Sequence, residues 1–156
     1  MISKIRKLIL EYRFNATVRS LYTSIENADI NNFHSTLKKL KENQNISDFL
    51  PMLLCFTCEH SKESEILITL LELGIHPDTP NQSDRFPIHE AVENGNEEFV
   101  KILLRFGANP NIIDKNGVTP LHISYSYDSL GGISDLLVSN GADLTLRDSL
   151  GKRYLM

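Results

Sequence analysis

The chain has 156 residues, 41% of them hydrophobic, with two cysteines and a formal net charge of −4. That is enough apolar material to bury a core, too much for a disordered chain, and too few thiols for a disulfide scaffold. Residues 1–45 carry eight basic and four acidic side chains and residues 46–156 carry eight and sixteen, so the body has a balance of −8 that repels phosphate, excludes nucleic acid as the expected partner and favours a basic protein segment.

The first predicted element is an amphipathic helix within residues 1–19. Ile2, Ile5, Leu8, Ile9 and Tyr12 fall at helical spacing, with Lys4, Arg6, Lys7 and Glu11 between them. The simplest job for such a helix is to cap whatever packs behind it. The same charges interrupt any secretion-signal core. The longest uncharged apolar-rich run, Phe49 to Cys58, is ten residues broken by Pro51; a spanning helix needs about 20. No membrane insertion is expected, and the protein is expected in the cytoplasm, with access to the nucleus.

From residue 20 onward the chain repeats. Phe33, Ile66, Phe99 and Ile133 form one column; Leu37, Leu70, Leu103 and Leu137 form a second, spaced 33, 33 and 34. Gly74, Gly107 and Gly141 follow at the same period, and Asp48, Asn81, Asp114 and Asp148 form a fourth column. The predicted units are 20–47, 48–80, 81–113 and 114–147, with a truncated unit at 148–156. Within a unit, Phe99, Ile102 and Leu103 lie on one face of a helix. Gly107 then has the place of a helix C-cap, where a residue without Cβ can adopt a left-handed conformation. Asn109-Pro110-Asn111 and Asp114-Lys115-Asn116-Gly117 are turn chemistry. Thr119-Pro120 opens the next helix with a hydroxyl cap and a proline at the first helical position. Each unit reads as helix, turn, helix, loop. One unit cannot bury its own apolar face, so neighbours must stack.

These residues resemble the ankyrin repeat. The third unit reads Phe86-Pro87-Ile88-His89-Glu90-Ala91, then Gly95-Asn96, then Gly107-Ala108-Asn109. The fourth reads Asp114-Lys115-Asn116-Gly117-Val118-Thr119-Pro120-Leu121-His122, then Gly141-Ala142-Asp143. The second unit keeps Leu70-Leu71 and Gly74 but has Leu53-Leu54-Cys55-Phe56 in the Thr-Pro-Leu-His place, and the first keeps little beyond Phe33 and Leu37. The resemblance implies an all-α ankyrin-repeat solenoid of about four repeats, with an N-terminal capping helix and a truncated C-terminal repeat. After Asp148-Ser149-Leu150-Gly151, Arg153-Tyr154-Leu155 takes the Thr-Pro-Leu place and the sequence stops, so no effector or degradation tail is expected.

Candidate chemistry is sparse. Cys55-Phe56-Thr57-Cys58 has redox-dithiol spacing but no strand–helix alternation around it, and a zinc site would need two more ligands. At a spacing of 33, Cys55 takes the column of Ile88 and Leu121 and Cys58 that of Ala91 and Ser124, so both are read as core. His89 and His122 match the family histidine that locks neighbouring fingers. Thr119 can bond His122, whereas Phe86 cannot serve His89, which predicts a weaker clasp between the second and third repeats. His34, His60 and His76 fall in variable columns and are read as exposed. Gly131-Gly132 reads as a flexible turn, and Asn111 as a structural turn residue. No motif supports an enzyme, a cofactor, a metal or a small-molecule substrate.

The resemblance implies a module that binds another protein on its concave face, made of finger tips and the exposed side of each first helix. The columns give Thr57 and His60 in the second repeat, Glu90, Glu93 and Asn94 in the third, and Ile123, Ser126 and Tyr127 in the fourth. Finger tips would be Phe49, Leu50 and Met52; Ser83, Asp84 and Arg85; Lys115 and Asn116; Ser149 and Leu150. Of these, Glu90, Glu93, Asn94, Ile123, Ser126, Tyr127, Arg85, Lys115 and Asn116 are the predicted partner-binding set. A short array of this kind is also similar to IκB-like viral ankyrin proteins and to ankyrin effectors of intracellular bacteria. That likeness implies an alternative, an inhibitor or host-directed effector that sequesters an NF-κB/Rel-type transcription factor.

Overall fold

The structure, a computed structural model of the chain, describes residues 16–43, 50–127, 131–149 and 151. The segment from Ile2 to Tyr12, finger residues Asp48, Phe49 and Leu150, the side chain of Leu50, and Arg153, Tyr154 and Leu155 lie outside the described residues. Among the described residues all regular structure is helical. Residues 16–26 form α1, running across the boundary expected at 19/20. The rest are α2 (Ile30–Asn43), α3 (Leu50–His60), α4 (Ser64–Glu72), α5 (Pro87–Glu93), α6 (Glu97–Arg105), α7 (Pro120–Tyr125) and α8 (Gly131–Ser139).

Most of these helices are too short to hold alone, since an isolated helix below about 12–15 residues is marginal in water. Stacking supplies the stability. Helices α3, α5 and α7 pack in one layer, α2, α4, α6 and α8 in a second, and hairpin partners α3/α4, α5/α6 and α7/α8 join the layers. The repeating columns are the seam. Phe33, Ile66 and Phe99 are fully buried and Ile133 nearly so, and Leu70, Leu103 and Leu137 are fully buried beside Leu37. The glycine column ends the second helices. Gly74, Gly107 and Gly141 have φ of +86°, +90° and +91°, and the N–H of the residue after Gly107 and of the residue after Gly141 bonds back to Leu103 and Leu137. A side chain at these positions would force the left-handed region on a residue with Cβ.

The Asp/Asn column has a local cause. In the finger at 114–118, Asp114 Oδ1 accepts from the N–H of Asn116 at 2.8 Å and of Val118 at 3.0 Å, while the Asp114 N–H donates to the Val118 carbonyl. Asn81 does the same one repeat earlier, its Oδ1 accepting from Ser83 and Arg85. The side chain therefore closes each finger turn from inside. Fingers then stack: the Ser149 N–H donates to the Asn116 carbonyl at 3.1 Å. A Cβ on Gly117, at φ +72°, would come within 3.0 Å of the Ser149 nitrogen.

Gly131-Gly132 corrects the reading as a flexible turn, because both lie in the first turn of α8. A Cβ on Gly132 would sit 3.3 Å from Glu97 Oε2, the movable end of a side chain at the start of α6.

Candidate functional site

His122 and His89 show how the fingers are held to the first helices. Thr119 caps α7: the His122 N–H donates to Thr119 Oγ1 at 3.3 Å, and the Thr119 N–H donates to His122 Nδ1 at 3.0 Å. Phe86 gives α5 no side-chain cap. His89 reaches forward, its Nε2–H donating to the Val118 carbonyl at 3.0 Å. Its clasp thus spans repeats three and four, which corrects the expected location between two and three. Among the described residues, buried Nδ1 of His89 finds no hydrogen-bond partner. Burial holds this imidazole below its ordinary pKa, opposed by the Val118 hydrogen bond and by Asp114.

In the second repeat the clasp is made by a thiol. Cys55 Sγ lies 3.5 Å from the Arg85 carbonyl and 3.5 Å from that of Thr79. Arg85 stands 33 residues before Val118, but Cys55 stands 34 before His89. The first helix of repeat two therefore sits one residue off the period. Cys55 takes the histidine column, and Thr57 takes the small-residue column that a spacing of 33 gave to Cys58. Thr57 is fully buried, its hydroxyl donating to the Leu53 carbonyl at 2.8 Å, which corrects its assignment to the exposed face. Both cysteines are buried and free. Burial pushes the Cys55 thiol up to about 12, with Glu90 adding to the shift, and raises Cys58 well above its ordinary value.

Five of the nine predicted partner-binding residues meet in one groove. Arg85, Glu93, Ile123, Ser126 and Tyr127, with Val118, His122 and Asp148, line a cavity of about 180 Å³ spanning the third and fourth repeats. Tyr127 is 48% exposed. Two members of the set depart from expectation. Ile123 is buried, on a helix, α7, that stacks on α5. Glu90 is also buried, because Arg85 folds over it: Arg85 Nε donates to Glu90 Oε1 at 3.0 Å, and its Nη2 bonds Glu93. Burial pushes the Glu90 carboxyl above its ordinary range, outweighing the pull of Arg85. For Arg85, burial works against the charge, but Glu90 and Glu93 hold the guanidinium above its ordinary value.

The remaining members lie elsewhere. Asn94 donates to the Glu90 carbonyl at 3.0 Å and that of Cys58 at 3.4 Å. It faces a separate open trough of about 550 Å³ that also holds His60, Lys62 and Glu97. Lys115 and Asn116 are exposed on their finger tip, outside the groove. His34, His60 and His76 are exposed, as expected.

Sequence reasoning missed a further groove. Tyr22, Met52, Cys55, Phe56, Glu59, Asn81, Gln82 and Ser83 line a cavity of about 210 Å³ on the same side of repeats one to three. The one-residue shift of α3 is what turns Phe56 and Glu59 to this side. The signal in the sequence was the hydrogen-bonding capacity of Cys55 next to a phenylalanine that has none.

Comparisons with known proteins agree with this architecture. Residues 54–148 match the family described as ankyrin repeats (3 copies). The ankyrin repeat-containing protein P1E11.10 of Schizosaccharomyces pombe is 32% identical over 89 residues, 57% of this chain and 42% of that protein. Protein phosphatase 1 regulatory subunit 27 of Mus musculus is 46% identical over 66 residues, 42% of each chain. The putative ankyrin repeat protein FPV222 of Fowlpox virus is 34% identical over 101 residues, 65% of this chain but 13% of that one. The chain thus spans less than half the length of these relatives.

Proposed function

Because the chain belongs to the ankyrin-repeat family, whose repeats mediate protein–protein interaction, we propose that it holds a segment of a partner protein in the groove between its third and fourth repeats. The observation that carries this reading is the convergence of Arg85, Glu93, Ser126 and Tyr127 on one cavity spanning two repeats. The groove is smaller than the roughly 300–1,000 Å³ of drug-sized ligand sites, which favours side chains of a protein over a free metabolite. Tyrosine is a common interface anchor, amphipathic and with few rotamers to lose. Glu93 and Asp148 in the lining, together with the acidic balance of residues 46–156, favour a partner segment that carries basic residues. The module acts without catalysis, wherever that partner resides, in the cytoplasm or the nucleus.

Two partners are candidates. An inhibitor of a Rel-type factor would present this acidic surface to the factor's basic localisation segment. Likeness to a regulatory subunit of protein phosphatase 1 makes that phosphatase a second candidate. Binding of purified Rel-homology domain and of purified phosphatase 1 to the immobilised chain decides between them. In either case Tyr127→Ala should weaken binding about tenfold or more, the loss of one central anchor. Full affinity in Tyr127→Ala and in Glu93→Lys would dismiss this groove.

A further inference from the structure

The groove of about 210 Å³ at the first three repeats has a different character from the proposed partner site. Tyr22 and Phe56 meet edge to face with ring centres 4.6 Å apart, and Phe56 lies 4.3 Å from the His60 ring. All three apolar walls, Tyr22, Met52 and Phe56, are half-buried, so each is already fixed by packing and still offers a surface. The opposite rim is equally fixed. Asn81 Oδ1 ties the N–H groups of Ser83 and Arg85, and the Cys55 thiol lies against the Thr79 and Arg85 carbonyls on either side of that finger. An open slot with an apolar wall and a polar rim, both already fixed, takes one large side chain with little ordering cost.

Its charge environment is one-sided. Glu59 is the charged residue lining this slot, and Arg85, Glu93 and Asp148 line the neighbouring groove. Three carboxylates stand against one guanidinium, and that guanidinium is engaged by Glu90 and Glu93. Glu59 and Glu93 are both felt at the buried carboxyl of Glu90, raising its pKa further, so the acidic groups act as one patch across the finger that separates the two grooves. Glu59 Oε2 lies 3.5 Å from His60 Nε2.

We infer that this slot is an anchor subsite for a bulky apolar side chain of the partner segment, flanked in that segment by a lysine or arginine that lies against Glu59. The inference rests on the proposed partner-binding reading and specifies its chemistry: a segment crossing the Arg85 finger, apolar at the Tyr22–Phe56 end and basic toward Glu59.

The test is a selection of random displayed short peptides on the intact chain, followed by affinity measurements of the selected peptides. The expected consensus pairs a Trp, Phe, Leu or Met with a nearby Lys or Arg. Phe56→Ala and Ser83→Arg should each weaken these peptides about tenfold or more. Ser83 is on the exposed rim, so its arginine fills and repels without touching the core, and it keeps the test decisive if Phe56→Ala disturbs folding. Loss in Tyr127→Ala with full binding in both slot variants would overturn the slot and leave the proposed groove standing. Loss in the slot variants alone would support the slot and remove the groove of repeats three and four. A consensus without an apolar residue, or no selected peptide at all, would overturn the inference outright.

Discussion

Reversing Glu90 should cost far more stability than reversing Glu93, although the two lie three residues apart on one short helix. Glu93 has a side chain 44% exposed, whereas that of Glu90 is 11% exposed beneath an Arg85 that is itself only 25% exposed. A lysine at 90 would set an ammonium against a covered guanidinium. Removing one partner of a buried pair costs about 3–5 kcal/mol. Glu93 remains available to Arg85 and the pair is partly wet, so about 2–4 kcal/mol is expected for Glu90→Lys. Glu93→Lys removes a partly exposed contact worth about 1 kcal/mol or less. In a chain of this length each kcal/mol moves the melting point by roughly 2–4 °C.

Glu90→Gln separates charge from packing. Burial already pushes the Glu90 carboxyl up despite Arg85, so the site penalises the charge it holds. An amide keeps an acceptor for Arg85 Nε, and its cost should stay within about 1 kcal/mol. Replacing both members with leucine should be nearly neutral, as for other buried pairs exchanged for apolar groups. Thermal and urea denaturation of the four variants gives the ranking. Equal losses in Glu90→Lys and Glu93→Lys, or a Glu90→Gln as damaging as Glu90→Lys, would refute the description of Glu90 as a covered, costly charge.

Burial holds the folded-state pKa of His89 below its unfolded value of 6.5. The stability linked to it is therefore complete above that value and lost as pH falls, so the wild type should lose more stability than His89→Gln between about pH 7.5 and 5.5 in denaturant titrations. Neither cysteine should react with iodoacetamide in the native state, given a Cys55 thiol near 12 and a Cys58 fully covered; both should label, by mass spectrometry, once the chain is unfolded. Asp84 has φ +56° where the next finger has Gly117 at +72°. Asp84→Gly should thus hold or raise the unfolding free energy measured in urea, by up to about 1 kcal/mol, and Asp84→Val should lower it.

The period of 33 made the architecture legible because stacking repeats the same demand. Every second helix needs an apolar residue at the Phe33 and Leu37 columns, and the hairpins α3/α4, α5/α6 and α7/α8 each need a residue tolerant of positive φ after them. These demands act on one residue at a time, so they show in a single sequence. Glu90 was not legible for the opposite reason. Its column faces outward in the helix, and what covers it is Arg85, a side chain from a finger whose reach depends on the turn that Asn81 closes. Ile123 was misread too: it is buried on α7, which stacks on α5 of the neighbouring repeat.

The shift in the second repeat joins the legible and the illegible. A strict count of 33 puts Phe56 in the histidine column, where a side chain must reach the next finger's carbonyl. Phenylalanine has no donor to offer, and Cys55, one residue earlier, has a thiol that can approach the Arg85 carbonyl. Sliding α3 by one residue gives the Arg85 carbonyl, which already accepts from the Asn81 N–H at 2.8 Å, a second, thiol contact, and puts Thr57, small enough for close helix packing, where Ala91 lies in the next repeat. It also expels Phe56 from the core seam to the edge of Tyr22. The degenerate motif and the apolar slot therefore have one cause. Cys55→His tests the sense of it: an imidazole there should keep the clasp and hold the urea midpoint near that of the native chain, whereas an α3 held in the 33-residue register would have no room for it and the midpoint should fall.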